Sequence, residues 1–202
     1  MDKIKYLSTQ QLDVLTELIN IGVGKSTTSL NTLIDQHINL NVPSVELMHY
    51  QDFQDYLKKF KDENYASVTL PFKGELIGNI KFLLSSSSAA NLANSFMGED
   101  SNDEDLDSIR SGVLNEVGNI VTNAVMGSVS NMLGVEISYI VPYFEEGTMS
   151  KVIQKSLDKE DGVILFAQAD FTIDKLEVSG SFAIFFEMNT FKNLIEKVDK
   201  MM

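Results

Sequence analysis

The chain repeats itself once, and the two copies stand at a constant offset of 99 residues. The segment LTELINIGVGKSTTSLNTLI at 15–34 matches LNEVGNIVTNAVMGSVSNML at 114–133. Further along, residues 78–96 resemble residues 180–198 at an offset of 102. A period of roughly 100 residues that occurs only twice is too long for a solenoid. We therefore expect a duplicated α+β unit whose two halves share one core. The aligned polar and proline positions are Glu17 with Glu116, Asn20 with Asn119, and Pro43 with Pro142.

Both halves show the same order of predicted elements. Each begins with a long helix, over Ser8–Asp35 and Asp103–Leu133, because apolar residues recur there at three- and four-residue spacing. A strand near a proline, a short amphipathic helix, a hairpin and a closing helix then follow in each half. The predicted bounds are Ser44–His49 and Glu136–Pro142 for the strands, Tyr50–Phe60 and Thr148–Leu157 for the short helices, Ala66–Pro71 with Leu76–Leu84 and Val163–Phe171 with Leu176–Phe186 for the hairpins, and Ser87–Met97 and Thr190–Lys200 for the closing helices.

We predict one domain over residues 1–202, built from repeats at about 8–98 and 103–202 with an acidic connector at 99–107. The connector is no calcium loop, because glycine is missing from the sixth position after Asp100 or Asp103. It is typical of a solvated linker and of a helix start, where carboxylates suit the positive helix end. The expected N-terminal caps are Ser8 with Gln11 and Ser101 with Glu104.

Composition excludes several classes of function. The 16 Lys and Arg residues face 29 Asp and Glu residues, and the resulting net charge of −13 repels nucleic-acid phosphates. The longest apolar runs, Val163–Ala167 and Phe182–Phe186, fall far short of the roughly 20 residues of a membrane helix. The start MDKIKYLSTQQ contains no apolar stretch as long as that of a signal peptide. Without cysteine the chain has no disulfide, thiolate metal site or cysteine nucleophile. We expect a cytoplasmic protein that neither binds nucleic acid nor inserts into membranes and holds no metal.

The repeated helix carries an unusual polar face. Asp13, Glu17 and Asn20 stand at relative positions 0, +4 and +7, which places them on one face over two turns. Asparagine is uncommon in the middle of a helix, because it competes for backbone hydrogen bonds. In the second copy Gly112 takes the place of Asp13. On spacing alone two interpretations stay open: a solvated surface inherited through duplication, or a functional face. Pro43 and Pro142 each follow the asparagine by 23 residues and are expected to position a strand start beside the helix.

The stretch Gly22–Thr27 ends like a phosphate-binding loop, GKST. That pattern needs a further glycine five residues before Gly24, where Ile19 stands, and a preceding strand rather than a helix. We therefore predict that the glycines are helix-packing positions and that no nucleotide binds here.

These residues resemble a known signature. Asp13-x3-Glu17-x2-Asn20-x22-Pro43 is similar to the [DS]-x3-E-x2-N-x22-P pattern of the CheC/CheX/FliY family of chemotaxis phosphatases. The second copy, Glu116-x2-Asn119-x22-Pro142, fits apart from Gly112, and the duplicated architecture extends the resemblance over essentially the whole chain. Two Glu–Asn pairs are typical of CheC. FliY-type members carry a further domain after this one, which we do not expect because the chain ends at Met202.

The resemblance implies an α+β fold with pseudo-twofold symmetry, in which a mostly antiparallel sheet runs continuously through both halves and carries the two long helices. It also implies hydrolysis of the aspartyl phosphate of a CheY-type response regulator, which supplies its own Mg²⁺ and lysine. No cofactor of this chain and no covalent intermediate are then needed.

The resemblance also implies roles for single residues. Asn20 and Asn119 would each orient the attacking water, since a carboxamide accepts a hydrogen bond but is no base at neutral pH. Glu17 and Glu116 would pair with the regulator's lysine, and Asp13 would contact the regulator. Pro43 and Pro142 would be structural. The alternative is a non-catalytic module that sequesters the receptor deamidase CheD or joins a flagellar switch complex, and Gly112 is its main support.

Overall fold

The computed structural model describes residues 7–34, 38–58, 63–97, 106–154, 156, 162–173 and 176–202. Six helices and seven strands follow one another within these ranges. In chain order they are α1 (Thr9–Ile34), β1 (Ile38–His49), α2 (Tyr50–Leu57), β2 (Asn64–Gly74), β3 (Gly78–Ser85), α3 (Ser86–Met97), α4 (Leu106–Leu133), β4 (Ile137–Tyr139), β5 (Tyr143–Thr148), α5 (Met149–Gln154), β6 (Gly162–Ile173), β7 (Leu176–Glu187) and α6 (Met188–Asp199).

The start of α1 confirms the predicted N-terminal cap. The backbone N–H of Ser8 donates to Oε1 of Gln11 at 2.8 Å, and the N–H of Gln11 donates to Oγ of Ser8 at 3.2 Å. This reciprocal pair satisfies two donors that the first helical turn leaves without intrahelical partners. The corresponding Ser101 and Glu104, and residues 99–105 of the predicted connector, lie outside the described residues.

Two strand predictions need correction. The first strand begins at Ile38 rather than Ser44, because alternating apolar residues continue back through the two asparagines of INLNV. In the second half the predicted strand Glu136–Pro142 is wrong in extent: β4 ends at Tyr139, and a second strand, β5, follows the proline. Together β4 and β5 span 137–148, which is the range of β1 shifted by 99. The repeat is therefore complete in structure, with a break at residues 140–142 of the second copy.

All strands form one antiparallel sheet in the order β1-β6-β7-β3-β2-β4, and β5 also pairs with β2. The edge strand of each half pairs with the hairpin of the other half: β1 with β6, and β4 and β5 with β2. In the centre β3 pairs with β7, where Lys81 lies opposite Ala183, its counterpart at the offset of 102. Repeat-equivalent residues that face each other mark the pseudo-twofold axis, which confirms the predicted sheet shared by both halves.

Helices cover both faces of the sheet. The larger core lies between the sheet and α1, α3, α4 and α6, and a smaller core lies beneath α2 and α5 on the other face. At the sheet centre the rings of Phe82 and Phe182 stack in the larger core with centroids 5.1 Å apart. In the smaller core Phe53 of α2 packs against Phe166 and Phe185. Within the described ranges no helix is both long and apolar enough to cross a membrane.

Helix α1 continues without interruption through the GKST segment, which confirms the helix predicted there. The packing role predicted for the glycines holds at one of two positions. A Cβ on Gly22 would lie 2.5 Å from Cα of Val125, so α1 and α4 meet here backbone to backbone. For Gly24 the prediction is wrong, because this glycine is exposed and a Cβ there would meet no atom within 4 Å.

Candidate functional site

The polar residues of α1 lie on the side of the helix that faces away from the core. Asp13 and Glu17 are exposed, Asn20 is half-buried, and Leu15 and Leu18 between them are fully buried against the sheet. Two turns of one helix thus present two carboxylates and a carboxamide in a row. We call Asp13, Glu17 and Asn20 the first site, and Gly112, Glu116 and Asn119 the second site.

The carboxamide of Asn20 is held by the backbone of β1. Its Nδ2 donates to the carbonyl oxygen of Val42, and the N–H of Val42 donates to its Oδ1, both at 3.0 Å. Val42 is the residue directly before Pro43. The x22 spacing of the signature therefore brings the residue before the proline opposite the asparagine. Each bonded atom keeps capacity, since Oδ1 has a second lone pair and Nδ2 a second hydrogen. The carboxamide is fixed in orientation and can still accept a hydrogen bond.

The sequence predicted that Pro43 positions a strand start, and this prediction is wrong. Pro43 lies inside β1, where the pairing with β6 shifts register between Asn41 and Ser44. Proline has no N–H and is tolerated at such a bulge on an edge strand. Val42, within the same irregularity, instead gives its N–H and carbonyl to Asn20. The bulge therefore supplies the two backbone groups that orient the first-site asparagine.

The second site keeps the Glu and Asn of the signature, with Gly112 at the position of Asp13, and its asparagine makes different contacts. Asn119 is half-buried and Glu116 exposed, as in the first site. Val141, the counterpart of Val42, is 80% exposed, whereas Val42 is 1% exposed. Oδ1 of Asn119 instead accepts a hydrogen bond from Nδ2 of Asn123, one turn further along α4. Pro142 lies in the break between β4 and β5, directly before Tyr143, so in this half a strand does begin at the proline.

Gly112 stands in open space. A Cβ there would meet no atom within 4 Å, so packing does not demand a glycine where the first site has Asp13. The second site therefore lacks its third polar side chain without a structural reason in its surroundings.

Two residues of the second half that contact α4 were not singled out by the sequence analysis. Asn123 follows Asn119 by four residues. A second asparagine in the middle of the same helix was the sequence signal that could have identified it. Tyr139 folds onto α4, with its hydroxyl 3.8 Å from where a Cβ on Gly127 would lie. Burial raises the pKa of Tyr139. Beyond it the break exposes Ile140 and Val141.

The two sites lie on opposite sides of the point where α1 and α4 cross. The pseudo-twofold axis between β3 and β7 reverses every direction in the plane of the sheet, so α4 runs antiparallel to α1. Gly22 meets Ala124 and Val125 at the crossing, and each Glu–Asn pair lies on the N-terminal side of its own helix from that point. Both sites therefore belong to one helical face of the molecule and are spatially separate.

Known proteins share sequence with this chain in the region of the first site. Residues 11–47 match the model of the CheC-like family, a stretch that holds the whole first site and Pro43. The chain is 27% identical over 154 residues to the CheY-P phosphatase CheC of Bacillus subtilis (strain 168), covering 75% of this chain and 73% of that protein. The resemblance to the CheC-like family is confirmed.

Two further relatives extend the comparison. The chain is 25% identical over 152 residues to the flagellar motor switch phosphatase FliY of the same Bacillus strain, but it spans only 34% of that protein. Its fold matches the crystal structure of Thermotoga maritima FliY with a TM-score of 0.78 at 21% identity, covering 98% of this chain and 100% of that one.

Replacing each asparagine should have unequal effects on stability. Asn20→Ala removes both partners of the buried Val42 backbone, and we expect it to lower the free energy of unfolding by roughly 2 kcal/mol. Asn119→Ala removes one bond within a helix and gains helix propensity, so its loss should stay below about 0.5 kcal/mol. Urea unfolding followed by circular dichroism measures both. Equal losses would contradict the clamp on Asn20.

Proposed function

We propose that this chain hydrolyses the aspartyl phosphate of a CheY-type response regulator in chemotaxis. The observation that carries the proposal is the carboxamide of Asn20, held at both ends by Val42 and lying on an exposed helix face beside Glu17. The relative CheC, whose name gives it CheY-P as substrate, supports the choice of phosphoryl donor.

An aspartyl phosphate is an activated acyl phosphate, so its hydrolysis needs a well-placed water more than a strong catalyst. In this proposal the regulator contributes Mg²⁺ and a lysine, and this chain binds no cofactor. The remaining lone pair on Oδ1 of Asn20 accepts a hydrogen bond from the water and turns it toward phosphorus. Because Val42 already fixes the carboxamide, little reorganisation is required at the moment of attack. No group of this chain bonds to phosphorus in the scheme.

Glu17 precedes Asn20 by about one turn, and its carboxylate is exposed. We assign it to the regulator's active-site lysine, where a charge pair fixes the docking register and raises the association rate more than the affinity. Asp13, a further turn away and equally exposed, extends the acidic face toward the regulator. An acidic helix face in a chain of net charge −13 suits a partner surface that bears lysine.

We assign Glu116 and Asn119 to the same roles at the second site and propose that this site is the slower of the two. It lacks the counterpart of Asp13, and its asparagine lacks the backbone clamp, since Val141 is exposed. In this proposal a single chain carries two sites that dephosphorylate the regulator at different rates.

The test measures loss of phosphoryl label from a phosphorylated CheY-type regulator in the presence of Mg²⁺. We expect the double variant Glu17→Ala/Glu116→Ala, and separately Asn20→Ala/Asn119→Ala, to lose on the order of 10²-fold in rate. The glutamates are exposed, so their variant folds normally and guards against the destabilisation expected for Asn20→Ala. The matched control is Glu46→Ala, an exposed glutamate on β1 that lies near Tyr56 of α2, on the other face of the sheet.

The outcome separates turnover from binding. A wild-type protein that leaves the regulator's own decay unchanged would overturn the proposal for that regulator. Binding to CheD or to switch proteins, unaffected by the asparagine substitutions, would then identify the chain as a non-catalytic module.

A further inference from the structure

We propose that Asn123 is a positioning residue of the second site, where it orients Asn119 in place of the backbone clamp that holds Asn20. The inference rests on the proposed function and deepens it, because it says how the second site can work although its edge strand is broken.

The hydrogen bonds of Asn123 carry the inference. Its Nδ2 donates to the backbone carbonyl of Asn119 at 2.8 Å and also to Oδ1 of the same residue. The first bond anchors the amide of Asn123 to the helix, and the second uses its other hydrogen to hold the carboxamide of Asn119. The terminal torsion of asparagine is otherwise broad, so an unheld carboxamide presents oxygen and nitrogen alternately to a water. With Asn123 in place, Oδ1 keeps its direction and one lone pair for the water.

The two halves differ at this position in a complementary way. The counterpart of Asn123 is Gly24, which has no side chain to donate, and there Val42 supplies the clamp. In the second half Val141 is exposed, and the donor comes from the helix itself. Each asparagine has one donor to its Oδ1, from the strand in one copy and from the helix in the other.

The experiment isolates the second site in an Asn20→Ala background and measures kcat and KM for dephosphorylation of the phosphorylated regulator. Misplacing a reacting group can cost up to about 10²-fold, and we expect Asn123→Ala to lower kcat roughly 10-fold. KM should stay within about twofold, because the docking residue Glu116 is untouched. Asn123→Gln keeps an amide donor and should recover part of the loss. Asn131→Ala, at an exposed asparagine of the same helix, is the matched control and should change nothing.

Each other result overturns the inference in a recognisable way. An unchanged kcat in Asn123→Ala, or equal losses in Asn123→Ala and Asn123→Gln, shows that the donated hydrogen bond is unimportant. An Asn20→Ala background without activity, beside an active wild type, shows that the second site does not turn over and leaves the proposed function standing at the first. An inactive wild type removes the proposed function itself. Urea unfolding of every variant distinguishes a lower kcat from a smaller folded fraction.

Discussion

Gly22→Ala is expected to lower the free energy of unfolding by about 1–3 kcal/mol, the range for forcing extra volume into a packed core. The new Cβ would lie 2.5 Å from Cα of Val125 and 2.9 Å from the carbonyl oxygen of Ala124. Both are backbone atoms of α4 and cannot swing aside as a side-chain tip can, so the two helices must separate. Because α1 and α4 carry the two sites, the separation also disturbs the surface offered to a partner.

Gly24→Ala is the matched control for this substitution. It lies two residues further along the same helix, is exposed, and has no atom within 4 Å of the new methyl group. There the higher helix propensity of alanine should raise the free energy of unfolding by up to about 1 kcal/mol. Urea denaturation of both variants gives the comparison. A loss of the same size in both would mean that helix backbone effects dominate and that the close crossing at Gly22 is not the cause.

Much of the fold could be predicted because the sequence is duplicated, so each helix or strand predicted in one half has a counterpart in the other half. Long helices and hairpins with clear periodicity were placed within a few residues of their bounds, and the sheet shared by both halves followed from the family resemblance. The start of β1 was missed because Asn39 and Asn41 are poor strand formers in isolation. Their strand exists because β6 offers a partner along the edge, where Asn39 pairs with Thr172 and Asn41 with Asp170.

The break in the second edge strand depends on the strand beside it. Pro71 of β2 lies opposite the break and accepts the N–H of Ile140 at 2.9 Å, but it has no N–H to donate in return. Its counterpart in β6 is Asp170, which pairs with Asn41 of β1 next to the register shift. The difference between Pro71 and Asp170 lies far from Asn119 and Pro142 in the sequence, so the residues around the second motif do not predict the break.

The candidate site was predictable where it is local and hidden where it is long-range. Helical spacing alone put Asp13, Glu17 and Asn20 on one face, and the structure shows the two carboxylates exposed and the asparagine half-buried. The clamp from Val42 joins residues 22 apart, and the same residue types stand at Asn119 and Val141 without forming it. The shared Glu-x2-Asn-x22-Pro pattern therefore takes two different geometries, because orientation of the asparagine depends on strand pairing elsewhere in the sheet.

The centre of the sheet holds a buried lysine that the repeat does not preserve. Lys81 is fully buried, and its counterpart at the pseudo-twofold axis is Ala183. Its Nζ donates to Oγ1 of Thr69 at 2.7 Å, lies 3.5 Å from Oε2 of Glu145, and sits 5.7 Å from the ring centroid of Tyr143. Glu145 and Tyr143 both belong to β5. The lysine therefore links the interrupted edge strand to the middle of the sheet.

Lys81→Ala should lower the free energy of unfolding by about 3–5 kcal/mol, since it takes the cation from a buried ion pair and leaves a cavity. Lys81→Met takes away the same cation but keeps most of the volume, so it avoids the cavity and should cost less than Lys81→Ala. Exposed Lys73→Ala on β2 is the control and should stay within about 0.5 kcal/mol. Urea unfolding ranks the three variants. If Lys81→Met costs as much as Lys81→Ala, the charge rather than the filled volume holds β5 in place.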